Sequence, residues 1–176
     1  KPPLIHFYNT YKDEELMHDF LLKLEQKSFV EWAAGFSFVE RITSLNRILK
    51  LIDNSPNDPQ TVVENILWYK ESAVKRGQVP RTINYAKREE VISNLKVLDD
   101  PHFYSKYGGK LAKYALLRIE IERTDLSCER KEYSDSVTVE HILPRNPPSN
   151  SEWMKLFDPD QRMVWTNALG NLVLLS

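Results

Sequence analysis

Glu140-His141-Ile142-Leu143-Pro144 is the stretch on which the reading of this chain turns. From Ser134 to Pro144 the apolar residues Val137, Val139 and Ile142 make short strand material, and Pro144 stops it. A histidine at a strand end, just before a proline-stiffened loop, has a fixed ring and one open side. A neutral imidazole is the side chain best suited to deprotonate water near neutral pH. A carboxylate beside it offers oxygen to a hard divalent cation, and such a cation stabilises charge on phosphoryl oxygens. Neighbours on a regular strand point to opposite faces, so Glu140 and His141 reach one point only if the strand ends or bends there. Pro144 supplies such an end.

Downstream lies the second half of the pattern, Ala168-Leu169-Gly170-Asn171-Leu172-Val173-Leu174-Leu175. Gly170 permits a tight approach of the backbone. Asn171 carries both a donor and an acceptor, enough to pin the loop that holds His141. Residues 172 to 175 read as a second strand. Between the two stretches, Asn146-Pro147-Pro148-Ser149-Asn150 forbids regular structure, while 151–157 and 160–166 each have the makings of a short helix. Trp153 and Trp165 are expected to pack beneath the loop.

Working outward toward the N-terminus, the grammar becomes helical. Leu16, Phe20, Leu21 and Leu24 form one apolar stripe behind Asp13-Glu14-Glu15. Phe38, Ile42, Leu45, Leu49 and Ile52 form a second, stopped at Asn54-Ser55-Pro56. Val63, Ile66, Leu67 and Val74 form a third, ended by Gly77 to Pro80, and Val91, Ile92, Leu95 and Leu98 a fourth. A fifth helix, from Gly109 to about Arg123, is apolar on two faces: Leu111, Tyr114, Leu117 and Ile121 on one, Ala112, Ala115, Leu116 and Ile119 on the other. Such a helix is expected to be a packing hub. A boundary near 126–133 is expected to separate a helical domain, 1–125, from a small mixed one, 126–176.

Composition bounds the function. The 176 residues are 41% hydrophobic and 28% charged, as in an ordinary globular protein, and 24 basic against 25 acidic side chains leave a net charge of −1. A non-specific nucleic-acid coat is strongly basic, so any contact with nucleic acid must be local. Two basic runs qualify: Lys70, Lys75, Arg76, Arg81, Lys87 and Arg88, and then Lys106, Lys110, Lys113 and Arg118. Their default reading is solvated helix faces, with phosphate contact as the sharper one. Cys128 is the only cysteine, which excludes an internal disulfide and a cysteine-rich zinc site and suits the cytoplasm. No apolar run reaches the length of a membrane span, and no secretory signal is present. The first residue is Lys1, so a longer parent protein is expected.

The order Glu-His-Ile-x-Pro, a tryptophan-bearing loop, then Leu-Gly-Asn-Leu-x-Leu-Leu resembles the C-terminal domain of GmrSD-type modification-dependent restriction endonucleases. That domain is similar to HNH, or His-Me finger, ββα-metal nucleases. Lys113-Tyr114-Ala115-Leu116-Leu117-Arg118-Ile119-Glu120 looks like the helix that precedes the motif in that family. The resemblance is strong over about residues 110 to 176 and loose before that. It implies a mainly α fold in which a helical bundle-like domain is followed by a ββα-metal finger. It implies His141 as the general base, Glu140 as a contributor to a divalent metal site (Mg or Mn), and Asn171 with Pro144 as supports of the finger. DNA is the implied substrate, and an N-terminal nucleotide-hydrolysing domain, in this chain or a partner, the implied companion. Such nucleases continue with a helix carrying another metal ligand. The chain ends at Ser176, so the finger is expected to be incomplete and cleavage by the chain as given is not expected. The alternative is a non-catalytic module that binds DNA or protein and retains a degenerate finger. His6, His18 and His102 show no ligand spacing and read as bystanders.

Overall fold

A computed structural model describes residues 2–67, 83–124 and 136–175. It resolves into two compact units, 1–95 and 96–176. The fold is mainly helical with one small two-stranded sheet. The expected boundary near 126–133 lies outside the described residues.

The first unit holds α1 (Pro2–Tyr11), α2 (Glu14–Ala33), α3 (Phe38–Asn54), α4 (Pro59–Asn65) and α5 (Arg88–Leu95). Asp13 caps α2 by accepting a bond from the Leu16 amide at 3.0 Å, and Ser37 with Glu40 forms a capping box at the start of α3. Its core joins Phe7, Phe20, Ile48, Leu51, Ile52, Val62, Val63 and Ile66, with Phe7 stacked on Phe20 at 4.1 Å between ring centres. Helix α1 was not anticipated, although Leu4, Phe7 and Tyr11 carry its apolar spacing behind two prolines.

The stripe of α2 keeps Leu16, Phe20 and Leu24 toward the core as expected, whereas that of α3 rotates from its expected face. Leu21 is exposed on α2, and Phe38 and Ile42 are exposed on α3, whose buried residues are Ser44, Ile48, Leu51 and Ile52. Both faces of α3 have helical spacing, and packing against α1 selects the one through Ile48. Helix α4 ends at Asn65, and Val63, Ile66 and Leu67 of the third stripe meet the core as expected; Val74 lies outside the described residues.

A polar knot lies inside this unit. Lys27 and Glu31 pair at 2.9 Å with both side chains buried. The Ser44 hydroxyl donates to Glu31 Oε1 at 2.6 Å, and the Tyr85 ring lies 4.8 Å below Lys27 Nζ. Burial, and then the Glu31 carboxylate, push the Tyr85 phenol well above its usual value.

The second unit is built on α6 (Phe103–Arg123), preceded by a 3₁₀ turn at Lys96–Asp99. Helix α6 is two helical pieces joined at Gly108, whose φ of 76° and ψ of 172° are not helical; the longer piece runs from Gly109 to Arg123 as expected, and a short piece from Phe103 precedes it. That backbone region is open essentially to glycine alone. Strands β1 (Thr138–His141) and β2 (Leu172–Leu175) pair antiparallel, with His141 opposite Leu172 and Val139 opposite Leu174. The connection between them carries α7 (Glu152–Leu156), α8 (Pro159–Trp165) and a 3₁₀ turn at Leu169–Asn171. Helix α6 touches both strands and both 3₁₀ turns, and Phe103, Leu111, Ala112, Ala115, Val137, Leu143 and Leu172 are buried. It is a hub over its first two-thirds only, since Ile119 and Ile121 are exposed.

The Lys27–Glu31 pair generates a stability prediction. Glu31→Ala leaves an ammonium buried without its partner, which costs about 3–5 kcal/mol. Urea unfolding followed by circular dichroism is expected to show a loss of that size, against a smaller one for Ser44→Ala. A loss under about 1 kcal/mol for Glu31→Ala is the size expected of an exposed pair and contradicts the buried one.

Candidate active site

Strand β1 alternates as its period requires. Thr138 and Glu140 face solvent, while Val139 and His141 are half-buried on the other face. The Thr138 hydroxyl lies 3.3 Å from Glu140 Oε1 on the outer face. Glu140 and His141 therefore project to opposite sides of β1, and the strand does not bend enough to bring them together.

The loop after His141 is held by one side chain. Asn171 Oδ1 accepts from the Leu143 amide at 2.8 Å, and Asn171 Nδ2 donates to the Leu143 carbonyl at 3.1 Å and the Thr166 carbonyl at 2.9 Å. The backbone adds a bond from the Ile142 amide to the Asn171 carbonyl at 2.9 Å. Pro144 follows the clamped Leu143 and holds that residue to extended backbone. The clamp thus fixes the main chain on both sides of the turn that leaves β1.

His141 packs against α6. The Tyr104 ring meets the imidazole edge-on, 4.6 Å between centres and 78° between planes. Gly108 turns the chain there, and a Cβ at Gly109 would stand 3.3 Å from the Tyr104 hydroxyl, so a small residue keeps the ring in place. Nε2 of His141 is buried and meets no hydrogen-bond partner among the described residues. Burial lowers the pKa of the imidazole from 6.5, and the nearby Arg145 guanidinium lowers it further; Asn167 and Glu140 oppose the shift more weakly. The ring is therefore held neutral at neutral pH, the state a base requires.

The other expected residues fall elsewhere. Lys70, Lys75, Arg76 and Arg81 lie outside the described residues. Lys87 and Arg88 are exposed and belong to the unit formed by residues 1–95, whereas His141 belongs to the other unit. In the second run, Lys106 pairs with Asp100 at 2.6 Å, and Arg118 pairs with Glu122. Trp165 is 55% exposed and does not pack beneath the loop, as α8 buries none of its residues; Trp153 is half-buried beside Phe157. Three residues beside His141 were missed in the sequence: Tyr104, Arg145 and Asn167. Arg145 sits next to Pro144 and was visible as a charge near the motif. Nothing local to Tyr104 or Asn167 marks either.

Among the described residues no three histidine, cysteine or carboxylate side chains gather to hold a metal ion. With Glu140 on the far face from His141, the described residues do not by themselves compose a divalent-cation site.

A short antiparallel pair clamped by an asparagine and backed by a helix, with a histidine at the strand end, defines a small helix-backed ββ unit of the kind expected from the sequence. The comparison with protein families agrees: residues 86–176 match the model described as GmrSD restriction endonucleases, C-terminal domain, and that span is more than half of the chain. The chain belongs to this family, and its function is related to that of a restriction endonuclease. Neither the curated proteins nor the solved structures contain a match. No helix among the described residues is long and apolar enough to cross a membrane.

The clamp generates its own prediction. Asn171→Ala strands the Leu143 amide and two carbonyls, and each unsatisfied buried group costs about 1–3 kcal/mol. Hydrogen exchange is expected to show protection lost at Leu143 and kept at Ile142, whose acceptor is the backbone carbonyl of residue 171. Equal loss at both amides points to collapse of the sheet and not release of one loop.

Proposed function

We propose that the finger is the hydrolytic site of a DNA endonuclease, with His141 as general base for attack of water on a phosphodiester bond. The observation that supports this reading is a histidine kept neutral at the end of a strand, on a loop that one asparagine immobilises. Nε2 is enclosed, so only Nδ1 can meet water or substrate. The phosphate needs a cation, and Arg145, beside the ring, is the side chain proposed to meet it. The family supports DNA as substrate, restriction of foreign or modified DNA as the setting, and a cytoplasmic location. A divalent cation, Mg or Mn, and an N-terminal nucleotide-hydrolysing domain as companion are part of the proposal and rest on the resemblance of the motifs alone. Glu140 is the one carboxylate of the motif that offers the cation oxygen, and it does so from the outer face of β1. The basic run from Lys70 to Arg88 remains a proposed DNA contact.

The second reading, a non-catalytic DNA- or protein-binding module, draws on that same outward-facing Glu140. Exposed Leu156, Met163 and Trp165 on the finger favour it as well. Nicking of supercoiled plasmid separates the two, with protein expressed from the complete reading frame. The nuclease reading expects nicking that chelator stops and that Mg or Mn restores. His141→Ala is expected to lower the rate by about 10²–10⁴-fold, the usual contribution of a general base. DNA binding without nicking, or nicking undiminished in His141→Ala, decides for the module.

The pH dependence follows in sign from the lowered pKa. The active form is the neutral ring, so the acid limb of the rate profile is expected below the ordinary imidazole value of 6.5. Arg145→Gln removes a charge that disfavours the imidazolium and is expected to move that limb upward. A limb above 6.5 in the wild type contradicts a base held neutral by burial.

A further inference from the structure

Two polar atoms beside the finger are stranded. His141 Nε2 and Asn167 Oδ1 are both shut off from water, and neither meets a hydrogen-bond partner among the described residues. Both belong to residues that contact Tyr104. Its ring touches the imidazole at 4.6 Å, and its backbone amide donates to the Asn167 carbonyl at 2.9 Å. The loop bearing Asn167 is also held from its far end, where Asn171 Nδ2 bonds the Thr166 carbonyl.

A buried ring nitrogen and a buried amide oxygen are complementary only one way round. The oxygen has no hydrogen to give, so the nitrogen must carry the proton. The Asn171 amide, the other side-chain amide of this loop, is already engaged, with both its ends on Leu143 and Thr166.

We propose that Asn167 is the positioning residue of His141: its Oδ1 accepts the proton on Nε2, fixing the Nε2–H tautomer and leaving the lone pair on Nδ1. The inference deepens the reading of His141 as a base and rests on it for its catalytic meaning. A histidine's second nitrogen is set by the bond its first one makes. Without Asn167 the neutral ring divides between two tautomers, and one of them has its lone pair buried where no water reaches. The influence of Asn167 on the ring agrees in sign, since it favours the protonated imidazole, as an oxygen facing a ring N–H does.

The test reads the tautomer directly. Long-range ¹H–¹⁵N correlation spectra of the labelled chain, at about pH 8.5 where an imidazole is neutral, distinguish protonated from bare ring nitrogens. The expected result is a His141 with Nε2 in the protonated range and Nδ1 in the bare range. Asn167→Ala is expected to average the two. Asn167→Asp keeps an acceptor oxygen and is expected to restore the single tautomer. Because the Asn167 carbonyl that Tyr104 holds is backbone, Asn167→Ala leaves that contact in place. In the nicking assay Asn167→Ala is expected to lower kcat on the order of ten- to a hundredfold with KM unchanged, as loss of other partners that orient a histidine does. A wild-type ring that is protonated on Nδ1 or mixed overturns the proposal, and that measurement needs no variant. An unchanged tautomer in Asn167→Ala overturns it equally. A fixed Nε2–H ring together with nicking undiminished in His141→Ala supports the positioning role and sinks the base reading. A mixed ring with nicking lost in His141→Ala does the reverse.

Discussion

The Asn171 side chain bridges residues that are far apart in the chain, and the geometry of the finger follows from that bridge. Two strands of four residues each have little stability of their own in water. The turn leaving β1 and the turn entering β2 must be held by something other than the ladder. Three side-chain bonds from one amide, reinforced by the Ile142 to Asn171 backbone bond, do this. They fix the exit angle of the chain at His141, and with it the face on which the imidazole lies.

Helix α6 gives that face its environment. Leu111, Ala112 and Ala115 bury the inner side of the ribbon, and the small residues let strand and helix approach closely. The break at Gly108 matters more for the chemistry. It separates a short helical piece, which carries Tyr104 against the imidazole, from the longer piece that backs the ribbon. Nε2 of the ring is shut off from water. Desolvation of this kind favours the neutral form, and Arg145 adds to it. In the proposed hydrolysis these two side chains are the base and the cation beside it.

Family membership and geometry contribute different things. The match over residues 86–176 assigns a restriction-endonuclease relation, and the structure shows which atoms of His141 are enclosed. The first unit stands apart from this chemistry, with an apolar core and one buried ion pair that links α2 to Ser44 and Tyr85. The pair itself lies within α2, and the Ser44 hydroxyl and the Tyr85 ring that meet it are the contacts that tie it to the rest of the unit.

The sequence by itself determined the kind of elements and the identity of the central histidine. Helical spacing, the prolines after Asn54 and in the 146–150 loop, and the paired motifs around His141 and Asn171 are local signals that need no tertiary context. Which helical face turns inward was not legible, since α3 carries two overlapping apolar stripes and only contact with α1 distinguishes them. The alternation of β1 did say that Glu140 and His141 diverge, and whether Pro144 bends the strand enough to reunite them was left to the fold. It does not, because the clamp takes hold at Leu143, beyond both residues. Tyr104 and Asn167 became neighbours of His141 only in the folded chain. Their place depends on a helix break at Gly108 and on a carbonyl held by a distant amide, and contacts between residues so far apart in sequence leave no periodicity to read.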